Sequence, residues 1–164
     1  MAKVSVRTFF KKNNLPALMK RLELEKSKAY VTIGIHEGEG SSEKKSKDNE
    51  PAKLLLIDVA NFHEFGTPTV PQRSFIRAND KLNFNKYVKI IREIKDKVIF
   101  ENMTMATGMS LLGEQIRLDI QARIRSGIKP ELKAATIRRK GSSVPLIDTG
   151  QLVNGITYKV GGVK

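Results

Sequence analysis

The chain has 164 residues, with 30 Lys and Arg against 17 Asp and Glu, which gives a formal net charge of +13. This length predicts one domain over residues 1–164 with a core of its own, and the absence of cysteine excludes disulfides and thiolate metal sites. Apolar runs are too short for a membrane span, and the N-terminus lacks the apolar stretch of a signal peptide.

The first part of the chain predicts two strands, one helix and a polar loop. Alternating apolar residues predict a strand near residues 3–8, and a run rich in β-branched residues predicts another over 29–36. Between them, Asn14 before a Leu-Pro pair is typical of a helix start, and this helix spans about residues 15–26. Residues 37–50 contain no apolar side chain, which predicts a loop that is flexible or ordered by a partner.

The remaining chain predicts a short helix near residues 51–64, then two long helices. Apolar residues spaced by three and four positions indicate these long helices at about 80–102 and 104–126. Residues 128–145 have no such pattern and are predicted as a basic extended loop. A final strand is predicted over residues 156–160.

These elements indicate an α+β fold. We expect a small mixed or antiparallel sheet built from the strands near 3–8, 29–36 and 156–160, with the two long helices packed on one of its faces. The open edges of so small a sheet suit contact with neighbouring subunits.

An Asp-Thr-Gly triplet at residues 148–150 matches the catalytic triplet of aspartic proteases, in which two carboxylates share one proton. The chain contains no second such triplet, and few residues follow the first. We therefore interpret Asp148, Thr149 and Gly150 as a structural turn, with Asp148 as the cap of a short helix.

The histidines allow a metal site to be considered, as do the carboxylates beside them. His36 stands next to an acidic pair, and His63 precedes Glu64. The His-Glu-x-x-His spacing of a zinc helix is absent, however, and so is the Gly-Lys-Ser/Thr of a phosphate-binding loop. We predict no catalytic, cofactor-binding or metal-binding residue, and no enzymatic activity.

The positive charge is spread along the chain and predicts a basic surface. Its densest run is expected to contact an acidic partner or DNA phosphates, with a merely solvated face as the alternative. Aromatic residues do not interleave with this run, so any DNA contact would be to phosphates, without sequence preference. The run consists of Lys129, Lys133, Arg138, Arg139 and Lys140.

Two dense segments carry a family resemblance. Residues 61–77 contain the box Glu-Phe-Gly-Thr followed by Val-Pro-Gln-Arg-Ser-Phe-Ile-Arg, and residues 136–152 end in Pro-Leu-Ile-Asp-Thr-Gly-Gln-Leu. In their joint order over about residues 29–160, these segments resemble bacteriophage morphogenesis proteins that complete the tail or join it to the head. Ser74 is a departure, since the family often has proline there.

The resemblance implies a structural virion protein of the neck or tail-completion region, such as a tail terminator or head–tail connector. Such subunits form closed rings, commonly six-fold or twelve-fold, around the DNA channel. The implied partners are copies of the same chain, other neck, connector, tail-tube or sheath proteins, and non-specific double-stranded DNA, with no membrane. Assembly would take place in the host cytoplasm. The alternative is a basic cytoplasmic protein that binds nucleic acid through phosphates.

Under this interpretation, the proline-containing loop after the Glu-Phe-Gly-Thr box is the expected subunit interface. Prolines reduce the entropy lost when a loop is ordered by a partner. The alternative for its two phenylalanines is a place in the core. The expected interface residues are Phe65, Gly66, Pro68, Pro71, Arg73, Phe75 and Arg77.

Overall fold

The computed structural model describes residues 29–36, 55–140 and 142–162. Across these residues the elements follow in the order β1 (Tyr30–Gly34), α1 (Leu56–Phe65), α2 (Arg77–Phe100), α3 (Met105–Arg125), α4 (Ala134–Lys140), α5 (Gln151–Asn154) and β2 (Thr157–Gly161). The strands form a two-stranded antiparallel sheet. Helices combined with a small sheet agree with the predicted α+β class at this coarse level.

The predicted elements that fall on described residues are found close to their expected positions. Strands β1 and β2 occupy the predicted segments near 29–36 and 156–160, and α2 and α3 are the two long helices. The break between these helices lies at Asn102, whose φ of +60° is left-handed, a conformation that Asn adopts more readily than most residues.

Several predictions lie outside the described residues. They are the strand near 3–8, the helix at 15–26, the loop 37–50 and the first turn of the helix predicted from residue 51.

The register of the sheet follows from side-chain hydrogen bonds between its strands. Thr32 Oγ1 donates to Lys159 O at 3.4 Å, and Thr157 Oγ1 donates to Gly34 O at 3.5 Å. Residue numbers thus rise along β1 while they fall along β2, as antiparallel pairing requires. Just beyond β1, His36 Nδ1 and Thr157 Oγ1 share a hydrogen bond of 2.8 Å.

The contacts group the chain into two compact units. Among the described residues, the larger contains 33–36, 55–84, 114–140 and 142–158, and the smaller contains 29–32, 85–113 and 159–162. That the chain forms one domain over residues 1–164 stays a prediction.

The larger unit has a continuous apolar core. Ile33 and Ile35 point to one side, as the period of a strand requires, and pack against a cluster that includes residues of α3. Gln121 is buried in this unit and its Nε2 donates to Val153 O at 2.9 Å, which ties α3 to α5. Packing of both long helices on the sheet stays a prediction. The buried cluster consists of Leu56, Ala60, Phe75, Ile120, Ile124, Ile128, Leu146, Leu152, Val153 and Ile156.

The smaller unit is held by a close approach between two helices. Tyr87, Ile94 and Val98 of α2 are buried, as is Leu112 of α3. A Cβ added to Gly108 would collide with Ile94 Cγ2, so this position requires glycine for the helices to pack at this distance.

One prediction about the chain after α3 is wrong. Residues 128–145 were expected to be an extended loop, but Ala134–Lys140 form α4. Lys133 O accepts the N–H groups of Thr136 at 2.8 Å and Ile137 at 3.1 Å, which starts the helix. The segment consists largely of strong helix formers. None of its residues is buried, and its sequence lacks the apolar periodicity from which a helix is predicted.

Candidate functional site

The first helix of the larger unit ends at a glycine that the backbone geometry requires. Gly66 has φ +78°, and its N–H donates to Phe62 O at 2.9 Å, which closes α1. A Cβ at this position would lie 3.1 Å from both Cβ and N of Gln72, because the following loop folds back on the helix end. Only glycine combines this φ with this crowding.

The carboxylate of Glu64, in the last turn of α1, is buried at the start of α2. Oε2 accepts the N–H groups of Phe75 at 2.8 Å and Ile76 at 3.0 Å. Oε1 accepts Ser74 Oγ–H at 2.7 Å and the Arg77 N–H at 3.1 Å. The first N–H groups of a helix have no partner within it and carry partial positive charge, so an anion there is strongly favoured.

This arrangement decides the protonation state of Glu64. Burial acts to raise the pKa of its carboxyl, but hydrogen bonds from Ile76, Ser74, Arg77 and Phe75 lower it and outweigh burial, so the pKa lies below its ordinary value. Glu64 is therefore ionised at neutral pH.

Arg77 joins this buried carboxylate to the surface. Its Nε donates to Glu64 Oε1 at 3.0 Å, and its Nη2 donates to Glu64 O at 2.9 Å. The guanidinium carbon lies 4.4 Å from the centroid of the Phe65 ring, within the range of a cation–π contact. Phe65 is 61% exposed, so the pair presents an aromatic ring beside a guanidinium that Glu64 holds in place.

The loop between α1 and α2 is closed at both ends. Arg73 N–H donates to His63 O at 2.7 Å, and Gln72 Nε2 donates to Glu64 O at 3.1 Å. In its middle, Thr67 N–H donates to Val70 O at 2.8 Å, while Thr67 Oγ1 accepts the Val70 N–H at 2.9 Å. Residues 67–70 thus form a turn.

Pro68 and Pro71 of this loop are exposed, and Gly66 is half-buried. Two members of the predicted interface need correction. Phe75 is fully buried at 0% exposure in the core of the larger unit, and Arg73 is only 5% exposed. Their side chains hold this chain together and are not presented to a partner as surface anchors. The surface set that remains is Phe65, Gly66, Pro68, Pro71 and Arg77.

Arg73 lies at the inner side of a groove in the larger unit. Its Nε donates to Pro130 O at 2.8 Å and its Nη2 donates to Glu131 O at 3.3 Å. Burial lowers the pKa of this guanidinium. The groove has a volume of about 1180 Å³ and is bordered by the loop after α1 on one side and by α4 on another.

The structure separates the predicted basic run into two groups. Lys133, Arg139 and Lys140 line the groove, and the Lys140 Nζ also donates to Val144 O at 3.4 Å. Lys129 and Arg138 are exposed and do not line it.

The predicted role of Asp148 as a helix cap is wrong. Helix α5 begins after Gly150, whose φ of +79° is left-handed, and no side chain caps its N-terminus. Asp148, Thr149 and Gly150 do lie in a bend, as predicted, and all three border the groove. The cap position is occupied by Gly150, which has no side chain to accept the first N–H groups of α5.

The most connected polar residues of this site were not singled out by the sequence. Glu64 was weighed as a metal ligand and as the first residue of the Glu-Phe-Gly-Thr box, and Ser74 only as a departure from a family pattern. The signal that was missed is an acidic residue shortly before a Ser-Phe-Ile-Arg segment, with a helix of periodic apolar residues beginning at that segment. Anions are favoured at the N-terminus of a helix, so the acidic residue was a candidate to bind there.

Within the described ranges no three His, Asp or Glu side chains gather into a group that could hold a metal ion. None of the helices described is long and apolar enough to cross a membrane. Comparison with protein-family models, with curated proteins and with solved structures gives no match to this chain.

Proposed function

We propose that this chain is a structural virion protein of a tailed bacteriophage, a ring-forming subunit of the neck or tail-completion region that joins tail to head around the DNA channel. In this role it is a tail terminator or head–tail connector and acts without catalysis. Its partners are copies of itself, in a six-fold or twelve-fold ring, and the adjoining neck, connector, tail-tube or sheath proteins.

The observation that carries this proposal is the exposed loop after α1, fixed from within by Glu64. Phe65, Pro68 and Pro71 are on its surface, while the buried carboxylate fixes the loop's start to the first turn of α2. An apolar surface that is already ordered loses little entropy when a partner covers it. Such rigid and exposed aromatic residues are typical anchors of protein interfaces.

A ring further requires that one surface of a subunit contacts a different surface of the next subunit. The rotation from one subunit to the next must also bring the last subunit back to the first. The fixed loop provides one such surface. Among the described residues the sheet has two strands, and their outer edges are candidates for the other, because strand edges offer unpaired N–H and C=O groups.

One observation favours a second function. Lys129, Lys133, Arg138 and Arg139 are all exposed, which suits non-specific contact with the phosphates of nucleic acid. This function requires an affinity for duplex DNA that falls steeply with salt, in proportion to the phosphates contacted. Binding that is absent or insensitive to salt would remove it.

The test is complementation of a phage in which the gene is interrupted. Electron micrographs of the interrupted phage are expected to show unjoined heads and tails, or tails with faulty ends, and the wild-type gene restores joined particles. A Phe65→Asp gene is expected to fail, because it places a charge in the proposed interface.

The matched control is Phe84→Asp, since Phe84 has a similar exposure of 59% but lies within α2 and not at the end of α1. This variant is expected to restore particles. Normal infectious particles without the gene would refute the proposed function, and equal failure of both variants would refute the assignment of the loop as the interface.

A further inference from the structure

The groove in the larger unit combines an apolar floor with charged borders. Its apolar lining includes Leu56, Val59 and Val70. Its ionic lining is Arg73, Lys133, Arg139 and Lys140 on the cationic side against Glu131 and Asp148 on the anionic side, four against two. A ligand that fits this lining carries both apolar groups and negative charge.

Arg73 gives the groove a specific point of recognition. Within the described chain its side chain donates only to the backbone carbonyls of Pro130 and Glu131, and neither carries a charge. A buried guanidinium usually pairs with a carboxylate, because burying an unpaired charge is costly. Burial alone lowers the pKa of Arg73, with no opposing effect from an anion. A carboxylate arriving from outside would supply the missing charge.

We propose that this groove binds an extended acidic segment of a partner protein, with one carboxylate at Arg73 and others at Lys133 and Arg139. Side chains of an extended segment alternate in direction, so apolar residues can face the floor while acidic residues face the borders. The proposal does not depend on ring formation and holds for any partner that carries such a segment.

The composition of the groove favours a protein segment over nucleic acid. The carboxylates of Glu131 and Asp148 would repel a phosphate backbone, whereas a polypeptide can place neutral side chains beside them. The apolar floor has no counterpart in a phosphate backbone, while it suits Leu or Val side chains. Nucleic acid is therefore an outcome to be excluded by the test.

The test measures fluorescence anisotropy of a labelled peptide of alternating Glu and Leu, about ten residues long in extended form, mixed with the full chain. A peptide with Gln at each Glu position controls for apolar binding, and a labelled DNA duplex controls for nucleic acid. The groove variant is Lys133→Glu with Arg139→Glu. The control variant is Lys129→Glu with Arg138→Glu, which makes the same change of net charge on the same segment but outside the groove.

We expect the acidic peptide to bind and the Gln peptide to bind at least about tenfold more weakly. The groove variant should weaken binding of the acidic peptide by about tenfold or more. The control variant should change this binding by less than about threefold. All four substituted residues are outside the buried core, so both variants should fold, which circular dichroism checks.

Three results would overturn the proposal. They are an acidic peptide that does not bind, equal weakening by the two variants, and a groove variant that weakens binding of duplex DNA but not of the peptide. None of these results bears on the complementation test of ring formation, so failure of one proposal can be told apart from failure of the other.

Discussion

Glu64 and Arg77 form an ion pair across the junction of two helices, with 3.0 Å between Arg77 Nε and Glu64 Oε1. The carboxylate is buried while the arginine is partly exposed, so the pair connects the core of the larger unit to its surface. The same carboxylate also accepts backbone N–H groups at the start of α2. One side chain thus ties the last turn of α1 to the start of α2 and closes the loop between them.

Replacing Glu64 by Gln should destabilise the protein by about 2–4 kcal/mol, because it removes the charge and points an NH2 group at N–H donors. Urea unfolding at neutral pH measures this loss. The matched control is Glu93→Gln on an exposed position of α2, which should change the free energy of unfolding by less than about 0.5 kcal/mol. Similar effects of the two substitutions would contradict the role given to Glu64.

The lowered pKa of Glu64 predicts a pH dependence with a definite sign. A carboxyl whose pKa is lower in the folded state binds its proton more weakly there, so its contribution to stability is complete above the unfolded-state pKa of about 4.3. That contribution is lost as pH falls through the folded-state pKa. The difference in unfolding free energy between wild type and Glu64→Gln should therefore shrink on acidification below about pH 4.3. A difference that stays constant would show that Glu64 does not titrate in this way.

Gly66 and Gly127 both have a positive φ that favours glycine, but only Gly66 is also crowded. Both have positive φ, +78° and +81°, but a Cβ at Gly66 would lie 3.1 Å from Gln72 whereas a Cβ at Gly127 would have nothing within 4 Å. Gly127→Ala should cost about 1–2 kcal/mol, the cost of the left-handed conformation. Gly66→Ala should cost more, because its ψ of 163° lies outside the left-handed helical region and because Gln72 must also move. Thermal unfolding of both variants measures the difference, and equal costs would contradict the strain and crowding assigned to Gly66.

Phe75 and Phe65 are expected to behave in opposite ways. Phe75→Ala removes a fully buried ring and should cost about 3–5 kcal/mol of folding free energy. Phe65→Ala removes an exposed ring and one cation–π contact, which is worth about 0.5–1 kcal/mol. Denaturant unfolding of the two variants distinguishes them. A large loss of stability from Phe65→Ala would argue that this ring holds the fold and is not available for a partner.

The sequence predicted the elements that have a clear periodicity. Helices α2 and α3 and strands β1 and β2 each carry an apolar pattern of helical or strand type, and the end of α1 carries a glycine. Helix α4 escaped prediction because no residue in it is buried, so that its propensity was the only signal.

The site was harder to predict for the same physical reason. Phe65 ends α1 and Phe75 lies just before α2, and nothing local in the sequence distinguishes the exposed ring from the buried one. Whether each ring is buried depends on contacts with residues far along the chain. Phe75 packs in a cluster that includes Ile120 and Ile156, whose proximity only the folded chain establishes. Likewise, the carbonyls that hold Arg73 come from residues 130 and 131.

Cryo-electron microscopy of the intact phage particle would decide whether many copies of this chain close around a channel at the junction of head and tail, as we propose. We expect a ring of subunits at the neck or tail end, with Phe65 at the end of α1 and Pro68 in the following loop against the neighbouring copy. A particle whose complete neck contains no copy of this chain would contradict it.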